Sequence, residues 1–281
     1  MIFRSIKDLS RDIREKLLPA LPRDIGIVYG IPRSGMIPAT IIATALGAKL
    51  GVLGCPTFIG ARQRNFALPM GDKTLVVDDS VHHGRAIAGA RAELDCLGAG
   101  YYTCAVYAHS RSTHLVDFFA DVLDDQRIFE WNFSGIKFAG TFCWSLDRVI
   151  CMLAPRLTGG LVDGIEDLRS ARPLYLPQIR VRAIIAERAE RWRTDTEAWL
   201  AKYGVVYDEL IMLPNYTEVR QSLISVARYK VQCLKETGCE VLVEGQDNIA
   251  KMIAGFTGLQ VLSVESMRLY PLADDPTVGR G

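Results

Sequence analysis

The residues best placed by type and spacing to do chemistry lie in one run, "TLVVDDSVHHGRAI", residues 74–87. Two neighbouring carboxylates, Asp78 and Asp79, leave an apolar β-type stretch and lead through Ser80, Val81, His82 and His83 to Gly84, Arg85 and a helical pattern. A strand that ends in a glycine turn and opens a helix offers free backbone N–H groups to an anion, and glycine lets the backbone come close. Carboxylates aimed at a phosphate would repel it. Asp78 and Asp79 make sense instead as acceptors for sugar hydroxyls, or as counter-charges to a cation. The plainer reading is a capped helix start with solvated acids, since Asp is a common cap. A second loop of this kind, "YGIPRSG" at residues 29–35, carries Arg33, a permanent cation suited to phosphate oxygens. Taken alone, that loop is equally well a surface turn.

Parallel strands would have to deliver both loops to one edge, because ligands of α/β sheets bind beyond the carboxyl ends of the strands. The patterning agrees. Apolar β-rich runs alternate with helical ones, which predicts βαβ units. In the first half, strands are expected at 24–29, 50–53, 73–77 and 101–108, and helices at 36–46 and 85–97. Residues 55–72 read as a polar loop, and 118–131 as either strand or helix. In the second half, strands are expected at 181–185, 209–213, 240–243 and 260–262, with helices at 189–202, 218–236 and 247–254. Trp192, Trp199, Leu200 and Tyr203 fall on one face of the first of these helices. The expected fold class is α/β, with two domains built on mainly parallel sheets, 1–140 and 141–281.

Composition narrows the function classes. The 281 residues are 49% hydrophobic and 23% charged, with a net charge of +1, so nothing indicates a nucleic-acid surface. The longest apolar region, 36–54, is broken by Pro38, Gly47, Lys49 and Gly51, and no membrane span is expected. The N-terminal stretch is charged and amphipathic rather than a signal sequence. Seven cysteines, an odd number, show no CxxC pair and no zinc spacing. They read as small buried hydrophobes of a reducing, cytoplasmic setting.

On these residues the first half resembles the type I phosphoribosyltransferase family, which binds 5-phosphoribosyl-1-diphosphate. "TLVVDDSVHHGRAI" is similar to that family's phosphoribosyl element and "YGIPRSG" to its diphosphate loop, with the likeness spanning residues 20–125. The resemblance implies that Asp78 and Asp79 bind the ribose hydroxyls. Ser80, Val81, His83, Gly84 and Arg85 would cradle the 5′-phosphate. Arg33, Ser34 and Gly35 would face the diphosphate, and Arg62 and Arg64 would neutralise it from a covering loop, where a solvated charged loop is the equal alternative. It also implies Mg2+, held with the diphosphate and met by Asp78 and Asp79 indirectly. The chain departs from the family turn, which carries hydroxyl residues where His83 and Ala86 stand here. His82 falls where purine-base members carry an acid, and an imidazole there could act as general acid or base.

The second half resembles, more loosely, the haloacid-dehalogenase-like phosphatases. That resemblance rests on "ARPLYLPQIRVRAIIAERAERWRTDTEAWLAKYGVVYDELIML" and "YKVQCLKETGCEVLVEGQDNIA". Those enzymes use an Asp at the end of the first strand and a second Asp two residues on. The corresponding region is expected at "RVICMLAPRLTG", where Cys151, Met152, Leu153 and Ala154 supply no acid. Ala186 and Glu187 replace the hydroxyl of the next strand. Lys230, and Glu244 or Asp247, match the later positions. A pseudo-phosphatase half is therefore expected, serving as a scaffold, a hood or an interaction surface. The leading expectation for the chain is Mg-dependent phosphoribosyl transfer to a nucleobase or other acceptor. The alternative is a catalytically degenerate sensor of phosphoribosyl diphosphate or a nucleotide, within a larger assembly. A homo-oligomer or a protein partner held through the C-terminal half fits either.

Overall fold

Which runs become strands is decided by where apolar residues can be covered on both faces, and the chain does this twice. A computed structural model describes residues 1–54, 58–59, 73–97, 100–124, 126–152, 171–214 and 222–271. It divides into two units, Met1–Trp131 and Asn132–Gly281. The division falls ahead of the 140/141 boundary read from sequence.

The first unit is built on a six-stranded sheet. Its strands are β2 (Ile25–Gly30), β3 (Lys49–Val52), β4 (Phe58–Ile59), β5 (Lys73–Val81), β6 (Tyr101–Ala108) and β7 (Phe118–Val122), in the order β4-β3-β2-β5-β6-β7. All neighbours are parallel except β3 and β4. Strands buried on both faces read as continuous apolar runs, which is how β2, β5 and β6 read. On one face Val28, Leu75, Val77, Cys104 and Val106 pack with Ala39 and Ile42 of helix α2 (Met36–Leu46). The same core takes in Leu9, Ile13 and Leu17, from α1 (Ile6–Asp12) and the π-helical stretch that continues it. On the other face Val76 and Ala105 meet Ile87, Ala90 and Leu94 of α3 (Arg85–Leu97). A separate two-stranded sheet pairs β1 (Ile2–Arg4) with β8 (Arg127–Phe129) in parallel. The stretch 118–131, open between helix and strand in sequence, is thus β7 and β8. Strand β5 also runs four residues beyond the expected 73–77, because β6 pairs with it as far as Val81↔Ala108.

The second unit repeats the scheme with β9 (Cys143–Ser145), β12 (Val181–Ala189), β13 (Tyr207–Leu213), β14 (Val241–Glu244), β15 (Gln260–Ser263) and β16 (Arg268–Tyr270). The order is β13-β12-β9-β14-β15-β16, and only the β15–β16 pair is antiparallel. A small antiparallel pair, β10 (Cys151–Met152) with β11 (Arg172–Pro173), stands apart. Helices α4 (Arg193–Lys202), α5 (Leu223–Thr237) and α6 (Asp247–Thr257) connect the strands. The helix expected from residue 189 starts only at Arg193, since β12 extends to Ala189 and a 3-10 turn, Glu190–Trp192, follows. The central strand, β9, was not expected at all: residues 133–145 read as a junction. It has three residues, all buried, and three residues are too few to show a period.

One cysteine expectation fails here. Cys143 of β9 and Cys239 form a disulfide with a Cα–Cα distance of 5.9 Å. Those two are not simply small hydrophobes, and the cysteines no longer argue for a reducing compartment. Cys104, Cys151 and Cys233 are unpaired and buried. Among the described residues, no helix is long and apolar enough to cross a membrane.

Candidate functional site

Strands β2 and β5 lie side by side in register Gly30↔Val77, so the loop at 30–35 and the turn at 78–84 leave the sheet as neighbours. The amide of Ile31 donates to the Val77 carbonyl at 2.9 Å, tying the two exits together. Gly35 makes the closest approach: a Cβ there would stand 2.6 Å from Val77 O, 2.7 Å from Ile31 O and 3.0 Å from the Asp78 Cα. Only glycine fits between two backbones at that spacing. Arg33 is exposed and Ser34 half-buried at the start of α2, and the Pro32–Arg33 peptide is cis. At the other exit, Gly84 sits at φ +69° with the Leu115 side chain 2.5 Å from where its Cβ would be. Both demands single out glycine, and the turn delivers Arg85 as the first residue of α3. The structure thus gathers Arg33, Ser34, Gly35, Asp78, Asp79, Ser80, His82, His83, Gly84 and Arg85 at the ends of two adjacent strands. Val81 takes part through its backbone alone, since its side chain is buried in the core beneath. Arg62 and Arg64 lie outside the described residues.

The two acids are not equivalent. Asp79 is 6% exposed and receives the indole N–H of Trp131 on Oδ2 at 2.6 Å. Burial raises its pKa, and the hydrogen bonds from Trp131, Asp78 and the Ser80 amide offset part of that rise. Asp78 is half-buried and accepts the Asp79 amide on Oδ1 at 2.8 Å. Burial first, and the adjacent Asp79 charge second, push the Asp78 carboxyl up to about 7. The pair therefore shares protons near neutrality, and the titration belongs to both acids together. A bound cation, or hydroxyl donors from a sugar, would relieve that crowding. Among the described residues no group of three or more His, Cys, Asp or Glu is arranged to hold a metal unaided. An ion met by Asp78 and Asp79 would have to share its coordination with ligand oxygens, as expected for magnesium that arrives with diphosphate.

Three side chains join the site that sequence reasoning missed. Trp131 stacks coplanar on Phe129 (centroids 4.8 Å, interplanar angle 2°), and Phe129 stacks on Tyr107, whose hydroxyl donates to buried Asp12 at 3.0 Å. This aromatic column fixes the indole that holds Asp79. His109 follows directly on β6 and brings its ring to 4.7 Å from His82; His82 in turn stacks on His83 at 4.1 Å. Burial, then His83, Arg127 and His109, lower the pKa of His82. Arg127, from β8, reaches the Val81 carbonyl at 3.4 Å through Nη2. Trp131, flanked by Glu130 and Asn132, was the legible signal: a large aromatic among polar neighbours needs something to cover it. Nothing in sequence brings His109 or Arg127 to residue 82.

The second unit also gathers charge at its strand ends, at a position the sequence reading misplaced. The central strand ends at Ser145, with Asp147 two residues on, not at 151–154. Ser145 donates to Glu244 Oε2 at 2.7 Å. Lys230, 0% exposed, donates to Ser145 Oγ at 3.1 Å, to Glu244 at 2.6 Å and to Glu187 at 2.8 Å. Burial alone would lower the pKa of Lys230, but Glu187 and Glu244 outweigh it and raise it. Asp147 pairs with Arg188 at 2.8 Å and takes the Glu187 amide at 3.0 Å, which holds its carboxyl below the usual range against the opposing effect of burial. Burial pushes the Cys151 thiol up to about 12, so it is no thiolate nucleophile at neutral pH.

Comparison with known proteins adds the following. No protein-family profile matches the chain, and no curated protein sequence matches it. Among solved structures, purine phosphoribosyltransferase from Pyrococcus horikoshii is similar at 20% identity, over 46% of this chain and 92% of that one, with a TM-score of 0.36. Xanthine-guanine-hypoxanthine phosphoribosyltransferase from Helicobacter pylori shares 14% identity over 47% of this chain and 91% of that one, at a TM-score of 0.37. Orotate phosphoribosyltransferase from Mycobacterium tuberculosis, in complex with 5-phospho-α-D-ribosyl 1-diphosphate, shares 17% over 42% and 73%, at 0.31. The matches lie on the N-terminal part of the chain.

Proposed function

We propose that the first unit binds 5-phosphoribosyl-1-diphosphate with Mg2+ and transfers the phosphoribosyl group to a nucleobase or another acceptor. One observation carries this reading. The loop at 30–35 and the acid-bearing turn at 78–84 leave adjacent parallel strands in contact, with a glycine required at the point where they meet. The family resemblance of both motifs points the same way. In this reading Asp78 accepts hydrogen bonds from the ribose hydroxyls, while Asp79, held by Trp131, keeps it oriented. Backbone N–H groups of 80–84 and the start of α3 take the 5′-phosphate. Arg33, Ser34 and Gly35 face the diphosphate, joined by Arg62 and Arg64. The bond from the sugar C1 to the diphosphate breaks, the bond from C1 to the acceptor nitrogen forms, and His82 takes the acceptor's proton. Magnesium, when bound, would neutralise charge on the departing diphosphate.

For the second unit we propose a haloacid-dehalogenase-like pseudo-phosphatase. Its strand end carries Ser145, and a hydroxyl cannot form the phosphoaspartate that such chemistry needs. The alternative reading of the first unit, a sensor without turnover, draws on the burial of Asp79 under Trp131. Calorimetric titration with phosphoribosyl diphosphate and Mg2+, followed by diphosphate release with a panel of acceptors, separates the two. Turnover that falls by about 10²-fold or more in Asp79→Asn supports the enzyme. Binding without release for any acceptor supports the sensor, and no binding ends both.

A further inference from the structure

Arg127 is the half-buried cation of the first unit's site with an idle buried donor. Among the described residues its hydrogen bond is the 3.4 Å contact with Val81 O, and its Nη1 is buried without a partner. Among the described residues no carboxylate lies within ion-pair distance of it. Two acids that act on it, Asp79 and Asp124, are engaged elsewhere: Asp79 by Trp131 and the Ser80 amide, Asp124 by the Ser110 amide at 2.8 Å. A half-buried guanidinium with idle donors is costly to leave unpaired.

The surroundings match the missing partner. His109 N donates at 3.0 Å to the same Val81 carbonyl that Arg127 reaches, so both residues converge on the ends of β5 and β6. The His82 ring lies against His109 there, with His83 behind it. His109 Nδ1 accepts the Arg111 amide at 3.2 Å, which leaves Nε2 to carry a proton outward. One fixed cation, the outward Nε2–H of His109 and the His82 ring form a seat that an oxyanion would fill.

We propose that Arg127, His82 and His109 seat a carboxylate carried by the acceptor. The inference rests on the phosphoribosyl reading above and names the acceptor's class. The 5′-phosphate already has the backbone N–H groups of the turn and of α3, whereas Arg127 and His109 approach Val81 from the β6 and β8 side. A planar carboxylate also suits the guanidinium fork.

The chain has four histidines, so each C2–H resonance can be followed by NMR on the full protein. Benzoate is expected to move the His82 and His109 resonances and to leave His114 unchanged, while benzamide moves none. Arg127→Gln should weaken benzoate by about tenfold or more. Arg127→Lys, which keeps the charge, should fall between, and guards against a fold defect in the first variant. Benzoate and ribose 5-phosphate binding together supports the acceptor assignment. Mutual exclusion would give the seat to the 5′-phosphate and overturn it, as would benzoate without effect on a protein that binds phosphoribosyl diphosphate. If phosphoribosyl diphosphate does not bind while benzoate still moves the two histidines, the underlying reading fails and the acceptor assignment falls with it.

Discussion

Both units put charged side chains at the ends of central parallel strands, yet one cluster is open and the other closed. In the second unit Lys230 and Arg188 answer Glu187, Glu244 and Asp147 at 2.6–2.8 Å, and all five are buried, with the Arg188 Nη1 left unpaired. Strand ends collect free backbone dipoles and charge in any α/β sheet, so in this cluster each carboxylate of Glu187, Glu244 and Asp147 meets a cation of its own fold. Among the described residues of the first unit, Asp78 and Asp79 have no cation within ion-pair distance, Arg127 has no carboxylate, and the Asp78 carboxyl is pushed up to about 7. Unpaired charge that a fold tolerates at a strand end is charge kept for a ligand. A buried network with matched partners contributes to one packed state, and its loss is felt as stability.

The largest expected effect tests the closed cluster. Lys230→Met removes the one cation between Glu187 and Glu244 and leaves two buried carboxylates facing each other. Breaking a buried pair in this way costs about 3–5 kcal/mol, and denaturant unfolding should show it as a loss in the second unit. Adding Glu244→Gln should restore part of it, because one of the orphaned charges goes too. A cost under about 1 kcal/mol would mean that the cluster is solvated, and the contrast between the units would collapse.

A smaller effect tests the held acid. Trp131→Phe keeps the stack on Phe129 but deletes the N–H that Asp79 accepts at 2.6 Å. A hydrogen bond to a charged group contributes about 1.5–3 kcal/mol, so the first unit should lose stability in that range at pH 8. The loss should shrink as pH falls, because the raised pKa of Asp79 brings its protonation, and with it the loss of the charged acceptor, to a higher pH than for a free carboxylate. An equal loss at every pH would reduce Trp131 to packing and remove the distinction between Asp78 and Asp79.

How far these contrasts were legible in sequence follows from how far apart the partners stand. The motif at 74–87 was readable because strand, acids, glycine and helix are consecutive, and the backbone alone imposes their relation. Helix Met36–Leu46 was readable at both ends, since Gly35 and Gly47 bound a mostly apolar run. The partners of the acids were not. Trp131 is 52 positions from Asp79; His109 reaches residues 81 and 82 through the pairing of β5 and β6, and Arg127 reaches Val81 from the separate β1–β8 sheet. Ser145 was missed for a different reason: a three-residue central strand is held by β12 and β14 on either side, not by any pattern of its own.

The smallest effect concerns the free acid and its dependence on pH. Because Asp78 binds its proton more tightly in the folded state than in the unfolded chain, it stabilises the fold at low pH. That contribution is complete below the ordinary carboxylate value of 3.8 and is lost as pH rises through about 7. Asp78→Asn removes the titration. The variant should match the parent near pH 4 and exceed it at pH 8 by about 1–2 kcal/mol, a figure reduced because the side chain is partly solvated and shares its proton with Asp79. His82, whose lowered pKa acts in the opposite sense, is exposed and does not reverse the trend. The same substitution should reduce the proton release at neutral pH when phosphoribosyl diphosphate and Mg2+ bind. Parallel stability curves for parent and variant from pH 4 to 8 would show Asp78 to be as well neutralised as Glu244. The first unit's strand end would then be closed like the second.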